Sequence, residues 1–179
     1  EAFWAGLTNS EIKQWQRRGK YLLAQLSPSG WLGLHLRMSG QLLWVKQSEP
    51  LAKHTRVRFF FPQQQELRFI DLRTFGRVWW VPPNVPPEEI ITGLNNLGIE
   101  PFSSEFTPSY LQGKLQRRHC AIKTALLDQK VVAGIGNIYA DEALFLGKIA
   151  PLRKAASLTD AEIEQLHTAI LSVLETAIA

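Results

Sequence analysis

A single cysteine, Cys120, serves 179 residues, so neither an intrachain disulfide nor a cysteine-cluster zinc site can be built from this chain alone. A reducing, cytosolic compartment is the expected setting. No run of about 18 apolar residues occurs, so a membrane-spanning helix is not expected. No basic stretch followed by an apolar run and a cleavage site is found, so secretion is not indicated. An opening methionine is missing too: the chain starts Glu1-Ala2-Phe3, inside a helical pattern, as a fragment or processed product would. Internal repeats and low-complexity segments are absent. The one methionine, Met38, stands in a Met38-Ser39-Gly40 turn, an unusual station for a flexible apolar side chain.

A hydrophobic content of 45% is enough for a real core. The net charge of +4 is unevenly spread. Residues 1–81 carry twelve Lys and Arg against five Asp and Glu, a net of +7, whereas residues 82–179 carry eight against eleven, a net of −3. A basic first half suits a polyanionic partner, with nucleic acid the leading candidate and a merely solvated basic face the alternative.

Short apolar or alternating runs separated by turn residues predict strands over 12–20, 21–26, 31–36, 41–45, 55–61, 66–71 and 77–81. In 55–61, Val57, Phe59 and Phe61 fall on one side, with Arg56, Arg58 and Phe60 on the other. Pro82-Pro83 and Pro86-Pro87 close this region. Helical patterns follow at 88–97, 109–118, 122–128, 138–146 and 160–178. The last begins with Thr159 and Glu162 spaced as a capping box, and Ile163, Leu166, Ile170, Leu171 and Leu174 recur along it. The expected class is α+β: an N-terminal antiparallel β-sandwich (1–97), a linker (98–108) and a helical domain (109–179).

Between two helical patterns stands Gly134-Ile135-Gly136-Asn137. The glycines permit close backbone approach and positive φ, and Asn137 is suited to cap the following helix. Unpaired N–H groups at a helix start carry partial positive charge, so such a turn can hold a phosphate; a plain packing junction is the competing reading.

The longer string from Ile122-Lys123-Thr124 through Val132-Ala133-Gly134-Ile135-Gly136-Asn137-Ile138-Tyr139-Ala140-Asp141-Glu142, continued by Ile149-Ala150-Pro151-Leu152-Arg153, resembles the helix–two-turn–helix signature of the formamidopyrimidine-DNA glycosylase family. Arg17-Arg18-Gly19-Lys20, His35-Leu36-Arg37-Met38-Ser39-Gly40, Lys53-His54-Thr55 and Asp71-Leu72-Arg73-Thr74-Phe75-Gly76 are similar to further family motifs, in the family's order. The resemblance implies excision of oxidised purines, 8-oxoguanine and formamidopyrimidines, from double-stranded DNA, followed by strand cleavage. It implies that Lys20 contacts phosphate on the lesion side. Met38 would fill the space left by an everted nucleotide, Arg73 would pair with the orphaned base, and Phe75 would wedge between bases. His54, Arg56, Lys123, Gly134, Gly136 and Asn137 would hold the DNA. The family often has a second histidine where Arg56 stands, and arginine keeps the positive charge.

Two family features are not found among these residues. The resemblance implies a nucleophilic N-terminal proline followed by a glutamate, and a C-terminal zinc finger with four cysteines. The chain opens on Glu1-Ala2 and contains one cysteine, so no cofactor is expected in it and zinc is expected only in the parent. A polypeptide of these residues alone is expected to bind DNA weakly and to form no Schiff base. A monomer in the bacterial cytoplasm, associated with the nucleoid, is the expected state. The sister enzymes that act on oxidised pyrimidines, a non-enzymatic helix–two-turn–helix binder, and a structural domain with incidental basic charge are the competing readings. Asp141-Glu142, His119 and Cys120 receive no catalytic role.

Overall fold

Alternating apolar residues fold the first half of the chain into two facing sheets. Residues 2–179 are described in this computed structural model. Strands β1 (Glu11–Arg18), β2 (Tyr21–Ser27), β3 (Trp31–His35) and β7 (Arg77–Val81) form an antiparallel sheet in the order β1-β2-β3-β7. Strands β4 (Gly40–Lys46), β5 (Thr55–Phe61) and β6 (Gln65–Asp71) form a second, in the order β4-β6-β5. Residues two apart on a strand turn to the same side. Ala24, Leu26, Leu32 and Leu34 therefore present one apolar face, and they share a core with Phe69, Leu42, Val57 and Phe59 of the other sheet. Each buried Leu or Phe contributes about 1.5–3 kcal/mol, which water-exposed single sheets would forfeit.

The outer face of β6 is buried as well, by ions rather than by apolar groups. Glu66 is fully buried and Arg68 nearly so. Glu66 accepts from Arg58 at 2.6 and 2.9 Å and also from Arg68 Nε. The Arg68 guanidinium then donates to the carbonyls of Pro50 and Glu49, both at 2.7 Å. This draws the segment after β4 over the sheet. Two arginines, the Glu66 carboxylate and two carbonyls satisfy one another there, which a lone buried charge could not achieve.

A short helix α1 (Ala2–Leu7) precedes β1. The helix expected over 88–97 is interrupted. Helix α2 (Pro87–Ile90) stops at Ile91, whose φ −99° and ψ 69° leave the helical region, and a 3-10 turn, Thr92–Asn96, follows. Ile91 is 1% exposed because it fills the notch above Gly33; a Cβ on Gly33 would lie 2.4 Å from Ile91 Cδ1. Burying that side chain outweighs a continuous helix.

The chain divides into compact units between Leu94 and Asn95. Residues 98–108, expected to be a linker, belong to the second unit. Ile99 bridges to Val132, and Phe106 is buried against His167, with ring centroids 4.8 Å apart. His167 Nε2 donates to the Phe106 carbonyl at 2.8 Å. The unit's helices are α3 (Pro108–Leu115), α4 (Ile122–Leu127), α5 (Asn137–Leu146) and α6 (Asp160–Ile178). Leu111, Leu126, Ile135, Leu144, Leu166 and Ile170 meet in a single core. Thr159 and Glu162 cap α6 reciprocally, as their spacing predicts. Among the described residues, no helix is long and apolar enough to cross a membrane.

Candidate nucleic-acid interface

Two turns leave the same end of the sandwich side by side. In one sheet His35 pairs with Arg77, and in the other Gly40 pairs with Asp71. The β3–β4 turn and the β6–β7 turn thus both cross from sheet to sheet at one edge. Met38 is 73% exposed on the first and Phe75 58% exposed on the second. Arg73 Nη1 lies 3.5 Å from Met38 Sδ. Arg37 (φ 55°) and Thr74 (φ 58°) hold left-handed conformations at the two tips. For a β-branched residue such as Thr74 this is costly, and strain of this kind persists only where surrounding contacts impose it.

The contacts that impose it converge on Asp71, which is buried. Its carboxylate accepts from Ser39 Oγ at 2.5 Å, Gly76 N–H at 2.7 Å and Arg73 N–H at 3.3 Å. Hydrogen bonds from Ser39 and Gly76 hold its pKa below the ordinary carboxylate range despite burial. Gly76 must be glycine for space: a Cβ would sit 2.4 Å from Phe69 Cζ and 3.0 Å from Asp71 Oδ2. Between the turns lies a shallow depression lined by Arg37, Met38, Thr74, Phe75, Gly76 and Arg77.

A cationic group adjoins the same edge. Lys20 sits between β1 and β2, and the register aligns Tyr21, His35 and Arg77 across β2, β3 and β7. Desolvation and then the Arg37 charge lower the pKa of Lys20. His35 is lowered to about 4, by burial first and then by Arg37 and Lys20. It is therefore neutral near pH 7, and Nδ1 accepts from the Arg37 N–H at 3.1 Å. Arg37, Lys20 and Arg77 all place positive charge on His35. An anion is what such a cluster attracts.

His54 falls in the turn before β5, not on a strand, and takes φ 111°. Its carbonyl accepts from Asp71 N–H at 3.0 Å. Arg56 sits where the β5–β6 register slips, and its Nε donates to the Asp71 carbonyl at 2.8 Å. One edge of its guanidinium is therefore committed to backbone, while its remaining N–H groups stay available.

In the second unit, the glycine turn leads into α5. Gly134 takes φ 92°, which demands glycine. Gly136 does not share this role. It is extended, at φ −115° and ψ −176°, and occupies the cap position. Asn137 is the first helical residue, so it does not cap the helix; no side chain does. The first N–H groups of α5 consequently face outward without a side-chain acceptor. The turn is stitched by Gln129, whose amide donates to the carbonyls of Leu127 (3.0 Å) and Ile135 (2.9 Å) and accepts from Gly134 N–H (2.9 Å). Lys123 reaches from α4 to Asp141 of α5 at 2.8 Å. Asp141 is thus an ion-pair partner in the second turn of α5 and lies outside the helix start.

The structure gathers Met38, Arg73 and Phe75 in one place, and Lys20 beside His35 and Arg37 in another. Gly134, Gly136 and Asn137 form one turn in the second unit. Asp71, Ser39, His35 and Gln129 were not singled out from sequence, although all four stand inside quoted motifs. Among the described residues, no group of three or more His, Cys, Asp and Glu could hold a metal ion.

A two-sheet sandwich and a helix–two-turn–helix unit define a class of DNA glycosylases, and family profiles match both parts. The formamidopyrimidine-DNA glycosylase N-terminal domain matches residues 1–78, and the formamidopyrimidine-DNA glycosylase H2TH domain matches residues 97–179. The chain belongs to the formamidopyrimidine-DNA glycosylase family. The formamidopyrimidine-DNA glycosylase of Nostoc sp. (strain PCC 7120) is 58% identical over 182 residues, covering 98% of this chain and 64% of the relative. The Lactococcus lactis enzyme, solved bound non-covalently to DNA containing an AP site, superposes with a TM-score of 0.87 at 32% identity, over 97% of this chain and 66% of that one. A structure of MutM with DNA containing carbocyclic 8-oxo-G gives a TM-score of 0.88 at 34% identity, over 97% and 65%. The chain spans a little under two thirds of the length of these proteins.

Proposed function

We propose that this chain grips double-stranded DNA and holds a damaged nucleotide out of the stack, within a base-excision glycosylase and AP lyase that removes oxidised purines. The reading rests chiefly on one observation: Met38, Arg73 and Phe75 stand exposed together on two adjoining, hydrogen-bonded turns. Eversion of a base leaves a gap and an unpaired partner. Met38 fills the gap, Phe75 enters the stack as an apolar wedge, and the planar Arg73 guanidinium supplies donors to the orphaned base. Lys20, beside neutral His35 and Arg37, takes the phosphate on the lesion side. His54 and Arg56 contact a neighbouring stretch of backbone. Gly134, Gly136 and Asn137 take another phosphate through the open start of α5. Lys123 contributes once it exchanges Asp141 for phosphate. The Lactococcus lactis and MutM complexes, with abasic and 8-oxo-G DNA, support this choice of ligand.

In the whole protein the chemistry belongs to the N-terminal proline amine that the family resemblance implies. Attack on C1′ expels the base and leaves an iminium, an electron sink for the eliminations that cut the strand. None of the residues named above carries that step; they bind and orient.

Fluorescence anisotropy with a duplex containing a tetrahydrofuran abasic analogue, against the same duplex undamaged, tests the proposal. A preference for the abasic duplex is expected, diminished about tenfold by Met38→Ala or Phe75→Ala, each removing an apolar wedge worth on the order of 1–3 kcal/mol. Equal affinity of the unaltered protein for both duplexes would overturn it.

A further inference from the structure

Met38 stands on the β3–β4 turn and Arg73 and Phe75 on the β6–β7 turn, and one carboxylate joins the two turns. Ser39, between Met38 and Gly40, donates to Asp71 Oδ1 at 2.5 Å. Across the gap, Gly76 N–H donates to Oδ2 at 2.7 Å, and Arg73 N–H is shared between Oδ1 (3.3 Å) and Ser39 Oγ (3.1 Å). The bonds from Arg73 and Gly76 bracket Thr74 and Phe75, and the bond from Ser39 fixes the residue next to Met38. Every group facing the Asp71 carboxylate is a donor, so it serves as an acceptor on both oxygens. The Asp71 N–H and carbonyl are engaged too, by the His54 carbonyl and Arg56 Nε. Asp71 is 1% exposed and stands at the junction without reaching the surface that Met38 and Phe75 present.

We propose that Asp71, with Ser39 as its relay, is the positioning residue that sets Met38, Arg73 and Phe75 in a single rigid constellation, so that damage discrimination depends on a carboxylate that never touches DNA. The inference rests on the wedge reading above. Its physical content is that a wedge must match the everted geometry closely, and small displacements of such groups are expensive. A second consequence concerns specificity. Phosphate contacts made by Lys20 and the α5 start do not run through Asp71, and His54 and Arg56 meet only its backbone N–H and carbonyl, so general DNA affinity and damage preference separate at the Asp71 side chain.

The test measures both quantities on the intact protein. Asp71→Asn keeps the volume but turns an amide N–H₂ toward one of the three donors. It is expected to lower the preference for abasic over undamaged duplex by about tenfold, with affinity for undamaged duplex kept within about twofold. Ser39→Ala is expected to lower the preference by about threefold, and Ser39→Thr, which retains the hydroxyl, to restore it. A 2-aminopurine opposite the site should lose its damage-dependent fluorescence change in parallel. If Asp71→Asn fails to fold, the Ser39→Ala and Ser39→Thr pair decides alone. Variants that keep the full preference, or that lose affinity for both duplexes equally, overturn the inference. A parent protein with no preference sinks the wedge reading itself, which is a different result.

Discussion

At the scale of single residues, the two adjoining turns are built on positions that tolerate little change. Gly76→Ala places a methyl against Phe69 and the Asp71 carboxylate. The expected cost is about 1–3 kcal/mol, read from urea unfolding midpoints. His35 makes a prediction in pH. Its ordinary value is 6.5 and burial brings it to about 4. Between those values the unfolded chain binds a proton that the folded chain refuses. Stability is therefore fully present above pH 6.5 and falls as the pH drops towards 4. Protonation would also place an N–H on Nδ1, facing the Arg37 donor. His35→Gln retains an acceptor without the titration, and it should flatten the pH dependence of the unfolding midpoint through that window. Met38, Arg73 and Phe75 were picked out through the resemblance of their two motifs to the family's; their residue types alone point as readily to the core. Asp71 was not. Its role depends on the pairing of Gly40 with Asp71, a contact between strands far apart in sequence.

At the scale of elements, polar stitches decide where turns and helices begin. Gln129→Ala removes three hydrogen bonds from the turn before α5 and leaves the Leu127 and Ile135 carbonyls with one partner fewer. A loss of about 1–3 kcal/mol in unfolding free energy is expected, together with weaker binding to every duplex sequence alike, since phosphate is what the turn would hold. Asn137→Ala should act on binding in the same way. At the other end of the unit, Glu162 completes the α6 capping box and meets Arg153 Nη2 at 2.8 Å. The Arg153 hydrogen bond, and then the Thr159 N–H, hold its pKa at about 2 against an ordinary 4.5. Its contribution is present above 4.5 and is lost as the pH falls towards 2. Circular dichroism at 222 nm should show Glu162→Gln losing less helix than the parent over that acid range. The α6 start was readable from two residues because capping is local. The break at Ile91 was not, because the notch that Ile91 fills is made by Gly33 on a distant strand.

At the scale of the whole chain, charge and architecture divide together. The basic excess lies in residues 1–81, and the division into units falls after Leu94. Each unit has its own core. A polypeptide of residues 95–179 is therefore expected to fold alone, with a cooperative thermal transition and helical circular dichroism. A broad, non-cooperative melt would contradict that. The general organisation was legible, since strand and helix periodicities do not overlap in this chain. The ownership of residues 98–108 was not: Gly, Pro and Ser suggest a free linker, yet Ile99 bridges to Val132 before α5 and Phe106 stacks on His167 of α6.

The notch between Gly33 and Ile91 has a consequence for the lineage. Two positions on separate elements share one small volume, so neither can drift alone. Where relatives carry alanine or a larger residue at the first position, the second should shrink in the same sequence. In the laboratory the same coupling should appear as rescue. Gly33→Ala alone should be destabilising, and Ile91→Val added to it should recover part of the loss, so that the pair costs less than the sum of its members.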